Sequence, residues 1–310
     1  MSIRIEQIER ILDPQYLKWY EENGDIFSHP NWLKIQIETS EYFIIRDDSN
    51  WLGTFCMNRE KKWNIPLYRN PYFTPHIAWT WKHSSQKKAS QHSAWKEAMN
   101  EIIQYLNTSK FKKIQFSFPV EVQDVQNFVW AGFEVSPKFT YQIDLNKTLE
   151  EIQQQYSSGH RNHFKKAMKD KVEWKIEHHP DQMEMMVKNT FTRKNQKFHS
   201  LYLNQILHSF SSTENSIMCF AYHEGKVIAG AMVVYNNKKA YLLLSGYVQE
   251  NKHGGAGIGC VHHLIAECQT RDIPIFDFEG SMLTEVEQYF RGFGGEIKPY
   301  FSISKKVLSK

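Results

Sequence analysis

Two stretches of this 310-residue chain repeat each other at a fixed spacing. "KIQFSFPVEVQDVQNFVWAGFEV" covers 113–135, and "FDFEGSMLTEVEQYFRGFGG" covers 276–295. Phe116 and Phe276, Phe118 and Phe278, Trp130 and Phe290, Gly132 and Gly292, and Phe133 and Phe293 share one offset (276 − 116 = 160). Each copy reads as a short apolar strand, a connection, a helix-like segment and a stop on glycine. A constant offset this long marks two copies of a domain rather than a short stacked repeat. About 150 residues per copy is also an ordinary domain size. Two domains are therefore expected, 1–140 and 141–310, both of mixed α/β type and packed closely, because no Pro/Gly/Ser-rich linker separates them.

Composition excludes several classes. With 41% hydrophobic and 23% charged residues the chain can bury two cores and is not a disordered polyelectrolyte. A formal charge of +4 admits an acidic ligand but is too small for a nucleic-acid-binding signature, so no DNA partner is expected. No apolar run approaches the roughly 20 residues that span a bilayer, and "MSIRIEQIER" lacks a signal-peptide core, so the reading is cytoplasmic. Cys56, Cys219, Cys260 and Cys268 form no Cys-x-x-Cys pair and read as reduced, buried thiols. His262-His263 and His178-His179 lack partners at ligand spacing, so no metal is expected.

Along the second half, "SIMCFAYHEGKVIAGAMVVYNN" reads as a hairpin turning at Gly225, and "KAYLLLSGYV" as a third strand. The Gly-rich "NKHGGAGIG" then opens a helix on which Ile258, Val261, Leu264, Ile265 and Cys268 recur at helical spacing. "IPIFDFEGS" returns as a strand buried on both faces. The first half offers "EYFIIRDDSNWLGTFCMN" as a comparable hairpin but has no Gly-rich loop. Between the repeats, "TLEEIQQQYSSGHRNHFKKAMKDK" reads as two helices. Thr148 and Glu151 fit a capping box, and Ser157-Ser158-Gly159 supplies a fresh N-cap. On the second helix Arg161, Lys165 and Lys169 form a basic stripe, while Phe164, Ala167 and Met168 face elsewhere.

Hairpin, third strand, Gly-rich loop opening a helix, further strand: this order resembles the GNAT acyltransferase fold. "FDFEGS" followed by "YFRGFGG", with "RNHFKKA" and "DIFSHPNWL", is similar to the tandem-GNAT proteins related to the Fem-type peptidoglycan aminoacyltransferases and their acetyltransferase-like cousins. The resemblance spans nearly the whole chain. It implies two tandem GNAT domains, the N-terminal one degenerate, with donor and acceptor meeting in a cleft between Arg161, Glu279 and Arg291. It also implies transfer of an acyl or aminoacyl group to an amine from acyl-coenzyme A, such as acetyl-CoA, or from aminoacyl-tRNA.

The resemblance assigns donor binding to Gly254, Gly255, Gly257 and Gly259 with Lys252 nearby. Glycines let backbone approach an anion, and a helix start presents unpaired N–H groups. "HGGAGIG" departs from the usual GNAT loop pattern, which leaves the donor open. Amine acylation needs a proton acceptor. Asp277 and Glu279 are the candidates, placed on one face by period-two alternation, with Glu279 favoured as nearer the strand's C-terminal end. Either could instead cap the next helix or pair with a base. Arg291, in the family's basic position before Phe-Gly, binds an anion or polarises the carbonyl, or is a solvated helix-end arginine. Arg161 and Lys165 match the family's acceptor region, or form a solvated face; Tyr300 and Ser302 have only their position to recommend them.

The function expected is thus N-acyl transfer from a CoA-type donor, in a ternary complex because no cysteine suggests a covalent relay. The acceptor is a small-molecule or peptidoglycan or polysaccharide-precursor amine. A tRNA-dependent Fem-type ligase is the alternative; "KNTFTRKNQKFHSLYLNQILHSF" is too short for the helical arm many of those carry. A non-catalytic scaffold or ligand sensor is the second alternative.

Overall fold

The computed structural model describes residues 2–8, 14–36, 38–48, 50–62, 65–109, 111–193, 199–280 and 282–306, without the side chains of Lys62 and Arg193. Ser281 of "FDFEGS" and 194–198 of the segment read for an inserted arm lie outside them. In chain order the elements are β1 (Arg4–Ile8), α1 (Pro14–Asn23), α2 (Pro30–Lys34), β2 (Ser40–Arg46), β3 (Trp51–Lys62), β4 (Ile65–Arg69), β5 (Trp79–Trp81), α3 (Lys88–Thr108), β6 (Lys113–Ser117), α4 (Gln126–Trp130) and β7 (Glu134–Asp144). There follow α5 (Leu149–Gln154), α6 (Ser158–Lys169), β8 (Glu173–Ile176), α7 (Pro180–Arg193), α8 (Ser200–Gln205), β9 (Ser216–His223), β10 (Lys226–Tyr235), β11 (Ala240–Tyr247), α9 (Ala256–Thr270), β12 (Ile275–Asp277), α10 (Thr284–Arg291) and β13 (Glu296–Lys306).

The chain divides into two compact units, Met1–Lys138 with Pro299–Lys310, and Phe139–Lys298. Strands of the first are ordered β1-β2-β3-β4-β6-β13, with β5 paired to β3; those of the second run β8-β9-β10-β11-β12-β7. In each, a single pair is parallel, β4 with β6 and β11 with β12, and a long helix, α3 or α9, makes the crossover between its strands. That is the connection a parallel pair demands. The two orders are the same, and the sixth place is filled by the strand that follows the other half in sequence.

The repeat reflects core positions. Phe116, Phe118 and Phe133 are buried in one unit, and Phe276, Phe278 and Phe293 in the other. Phe116–Phe118 and Phe276–Phe278 ring centroids are both 5.2 Å apart. The fourth aromatic pair diverges: Phe290 is 9% exposed, whereas Trp130 is 70% exposed with the Lys96 ammonium over its ring. On α9 the spaced apolar residues Ile258, Val261, Leu264, Ile265 and Cys268 are all buried. Burial of an aliphatic side chain of this size contributes about 1.5–3 kcal/mol. The β9–β10 hairpin turns through Glu224 (φ 50°) and Gly225 (φ 73°), the two left-handed residues that a tight hairpin turn requires.

Local signals before α6 also hold. The Thr148 side chain accepts from the Glu151 N–H, and Glu151 accepts from the Thr148 N–H, closing the capping box of α5. Ser157 caps α6 by accepting from the His160 N–H. Phe164 and Ala167 are buried, but Met168 is exposed and does not join them. Thr148→Ala is expected to cost about 1 kcal/mol, read as a lower urea midpoint; an unchanged midpoint would show that the box adds nothing.

Candidate active site at the end of strand β12

The strand reading of "IPIFDFEGS" holds only for Ile275–Asp277. Beyond it the backbone turns: Glu279 has φ 59° and Gly280 φ 75°. Period-two alternation therefore stops at Asp277. Gly280 is required here, since a Cβ would lie 2.1 Å from the Phe139 carbonyl oxygen. The non-glycine residue beside it holds a left-handed conformation that costs about 1–2 kcal/mol, the kind of strain that clusters at functional sites.

Asp277 and Glu279 have opposite surroundings. Asp277 is buried, and its Oδ1 accepts from Thr140 Oγ1 at 2.7 Å and from the Glu279 N–H at 2.8 Å. Its Oδ2 accepts from Gln142 Nε2 at 2.6 Å and lies 4.0 Å from the buried Lys239 Nζ. These donors engage both oxygens of the carboxylate. Glu279 Oε1, by contrast, is buried with no hydrogen-bond donor among the described residues. Burial, and then the charge of Asp277, push the Glu279 carboxyl well above the usual carboxylate range. A carboxyl so placed binds its proton tightly, and when ionised it is a strong, unengaged base.

Thr140, Gln142 and Lys239 were missed by the sequence reading. Thr140 and Gln142 alternate with Tyr141 and Ile143 on β7, and polar residues at alternate positions of a strand were the available signal. Tyr141 donates from its hydroxyl to Glu287 Oε1 at 2.6 Å, and Arg291 Nε donates to the same oxygen at 2.9 Å. Those two hydrogen bonds hold Glu287 below the usual carboxylate range, Tyr141 first. Arg291 is 60% exposed, and no partner of its two Nη groups is found among the described residues.

The other basic candidates differ. Arg161 Nη1 donates to the carbonyls of Gln154 and Tyr156, closing the end of α5. Lys165 is exposed one turn further along α6. Tyr300 is buried and belongs to the first unit, whereas Arg161, Lys165, Asp277, Glu279 and Arg291 belong to the second.

Helix α6 joins the Gly-rich loop to α10. A Cβ on Gly255 would lie 2.1 Å from the His163 carbonyl oxygen, and one on Gly259 2.1 Å from the Trp174 ring; both glycines admit neighbouring elements. Gly254 is exposed and Gly257 half-buried, the latter 3.3 Å from the Tyr289 hydroxyl when given a Cβ. Lys252 is exposed, with its ammonium over the Tyr247 ring. His160 on α6 contacts the Tyr289 carbonyl through Nε2 at 3.0 Å, and a Cβ on Gly292 would strike its ring. The start of α9, where the Gly255 and Ala256 N–H groups donate to His253 and those of Gly257 and Ile258 have no partner among the described residues, thus stands beside α6 and Tyr289.

His262 packs against Phe164 and Tyr156, and burial lowers its imidazole to about 4, leaving it neutral. Asp181, Glu184 and His208 bring ligand atoms within 4.8 Å of one another, but Glu184 is also ion-paired to Lys188 at 2.7 Å. Among the described residues no helix is long and apolar enough to cross a membrane.

Residues 150–291 match the family model described as an acetyltransferase (GNAT) domain. Three solved structures resemble nearly the whole chain. FemX is 11% identical with a TM-score of 0.69, the match covering 98% of this chain and 97% of that one. L-PGS from Bacillus licheniformis is 10% identical with a TM-score of 0.58, covering 96% and 93%. A tandem GNAT protein from the clavulanic acid biosynthesis pathway is 9% identical with a TM-score of 0.56, covering 100% of both chains. A sequence comparison with curated proteins finds no match.

Proposed function

From the tandem GNAT fold and the match of residues 150–291 to an acetyltransferase (GNAT) domain model, we infer an N-acyltransferase using a CoA-type thioester donor and an amine acceptor. The observation that carries this is Glu279, a carboxyl with one buried, unengaged oxygen in a left-handed turn at a strand end. Such an oxygen is what an incoming amine needs as its proton acceptor.

In this reading Glu279 takes the proton as the amine nitrogen bonds to the acyl carbon. The carbon–sulfur bond breaks, and the departing thiolate takes up a proton. Asp277 is a positioning residue: it binds the Glu279 N–H, and its charge helps keep the Glu279 carboxyl basic. Arg291, fixed by Glu287, offers its Nη groups to an anionic or carbonyl oxygen of a substrate. Lys165 is an available cation on α6, as Arg161 is engaged by backbone carbonyls. The start of α9, with Gly254, Gly257 and Lys252, fits donor phosphates because small residues leave its N–H groups approachable; Gly255 and Gly259 let the helix pack there.

Gly257→Asp tests the donor site cleanly. A carboxylate in the first turn of α9 favours the helix through its dipole but repels a phosphate. Acetyl-CoA titrated into the variant by calorimetry is expected to bind at least about tenfold more weakly, with thermal stability kept. Equal affinity would remove the donor from this loop. The resemblance of "FDFEGS" and "YFRGFGG" to the Fem-type aminoacyltransferases makes an aminoacyl donor the second reading; saturable binding of an aminoacyl-tRNA, with none of acetyl-CoA, would select it. Binding of neither would leave a non-catalytic protein.

A further inference from the structure

A second polar site lies within the first unit, on the sheet face opposite its core. On β6, Ile114 and Phe116 point into the core while Lys113, Gln115 and Ser117 alternate to the other side. There they line a cavity of about 300 Å³ with Arg69, Lys138 and Ser302. A neighbouring space of about 680 Å³ shares Lys113, Gln115, Lys138 and Ser302, and adds Lys305, Lys306 and Glu134, the last accepting from the Ser304 hydroxyl. Volumes of this order are those of small-ligand sites.

The charges of this cavity do not balance. Glu60, the one carboxylate lining it among the described residues, is already engaged by Arg69 Nη1 at 2.9 Å and by the Tyr72 hydroxyl at 2.5 Å. Lys138 is half-buried, and among the described residues its ammonium donates only to Ser117 Oγ, at 3.3 Å. Burial lowers its pKa, with no carboxylate beside it to oppose the shift. Lys113 likewise forms no ion pair among the described residues. A partly desolvated ammonium without a counterion is unfavourable. That ammonium and the exposed Lys113, neither ion-paired among the described residues, stand with Gln115 and the Ser117 hydroxyl as donors for a dianion with several acceptor oxygens.

We propose that this cavity binds a phosphomonoester, its phosphate held between Lys113 and Lys138 with Ser117 and Gln115 as further donors, and its organic part in the adjoining space. The site uses none of the residues assigned to acyl transfer and stands or falls independently of that reading. Free phosphate shares the chemistry but leaves the adjoining volume unused.

Calorimetric titration of the full chain with glucose 6-phosphate, inorganic phosphate and citrate separates the possibilities. Saturable binding of the ester, tighter than that of the other two, is expected. Lys138→Met should weaken it about tenfold or more, as loss of a charge-assisted contact does. The unliganded variant should melt no lower than wild type, because an unpaired ammonium has been replaced by an apolar stem. The exposed Lys113→Gln should weaken binding similarly and guards against a folding defect. Glu279→Gln, in the other unit, should leave it unchanged. No saturable binding, equal binding of citrate or inorganic phosphate, undiminished affinity in both lysine variants, or a loss in Glu279→Gln would each overturn the assignment.

Discussion

Glu279→Gln is expected to slow amine acylation by about 10²–10⁴-fold, the usual contribution of a positioned general base, while making the protein more stable at neutral and alkaline pH. The two effects share one cause. Burial and the Asp277 charge raise the Glu279 carboxyl in the folded state, whereas the unfolded chain has an ordinary glutamate near about 4.3. Below that value both states are protonated and Glu279 adds no pH dependence. As pH rises from there toward the folded-state value, the unfolded chain releases a proton that the folded protein keeps, so stability falls. Above the folded-state value the full penalty of a buried carboxylate applies. Glutamine does not titrate, so the melting temperature of the variant should match that of wild type near pH 4 and exceed it increasingly through that window. The wild-type rate should rise with pH over the same window, because only ionised Glu279 accepts a proton. Melting curves that stay parallel from acid to alkaline pH would sink the desolvation account. A variant acylating at the wild-type rate would remove Glu279 as the base.

The sequence revealed core positions far better than it revealed the site. Aromatic spacing located Phe116, Phe118, Phe276 and Phe278 because a repeated strand must bury the same face each time. Capping and turn chemistry placed the starts of α5 and α6 and the Gly225 turn, since those signals are local. Trp130 shows the limit of such reasoning: its repeat position matches Phe290, yet it is exposed. The setting of Asp277 depends on β7, which lies some 135 residues away at Gln142, and no local pattern carries that pairing. Alternation put Asp277 and Glu279 on one face, but the left-handed turn at Glu279 and Gly280 is what separates a saturated carboxylate from an unengaged one. The destination of β13 was equally hidden, since "FSIS" alternates as any half-buried strand does and names no sheet.

That turn makes Gly280→Ala the substitution with the largest expected effect on stability. An alanine at φ 75° costs about 1–2 kcal/mol by itself. Its Cβ would also lie 2.1 Å from the Phe139 carbonyl oxygen, 2.9 Å from the carbonyl carbon and 3.0 Å from the Thr140 Cα. These are backbone atoms at the edge of a paired strand, so no side-chain rotation relieves the overlap, and overpacking adds about 1–3 kcal/mol. A total of about 2–5 kcal/mol is therefore expected, read as a lowered urea midpoint. Gly132→Ala separates the two causes: it has the same φ of 75°, with nothing within 4 Å of the added Cβ. It should cost only about 1–2 kcal/mol. Because Phe139 precedes the Thr140 that binds Asp277, relief of the overlap must move β7 or the turn. Gly280→Ala protein that still folds should accordingly lose acylation activity, while Gly132→Ala keeps it. Equal destabilisation by the two alanines would show that the turn at Gly280 has room to relax, and that Glu279 is not held in place by the packing of Gly280 on β7.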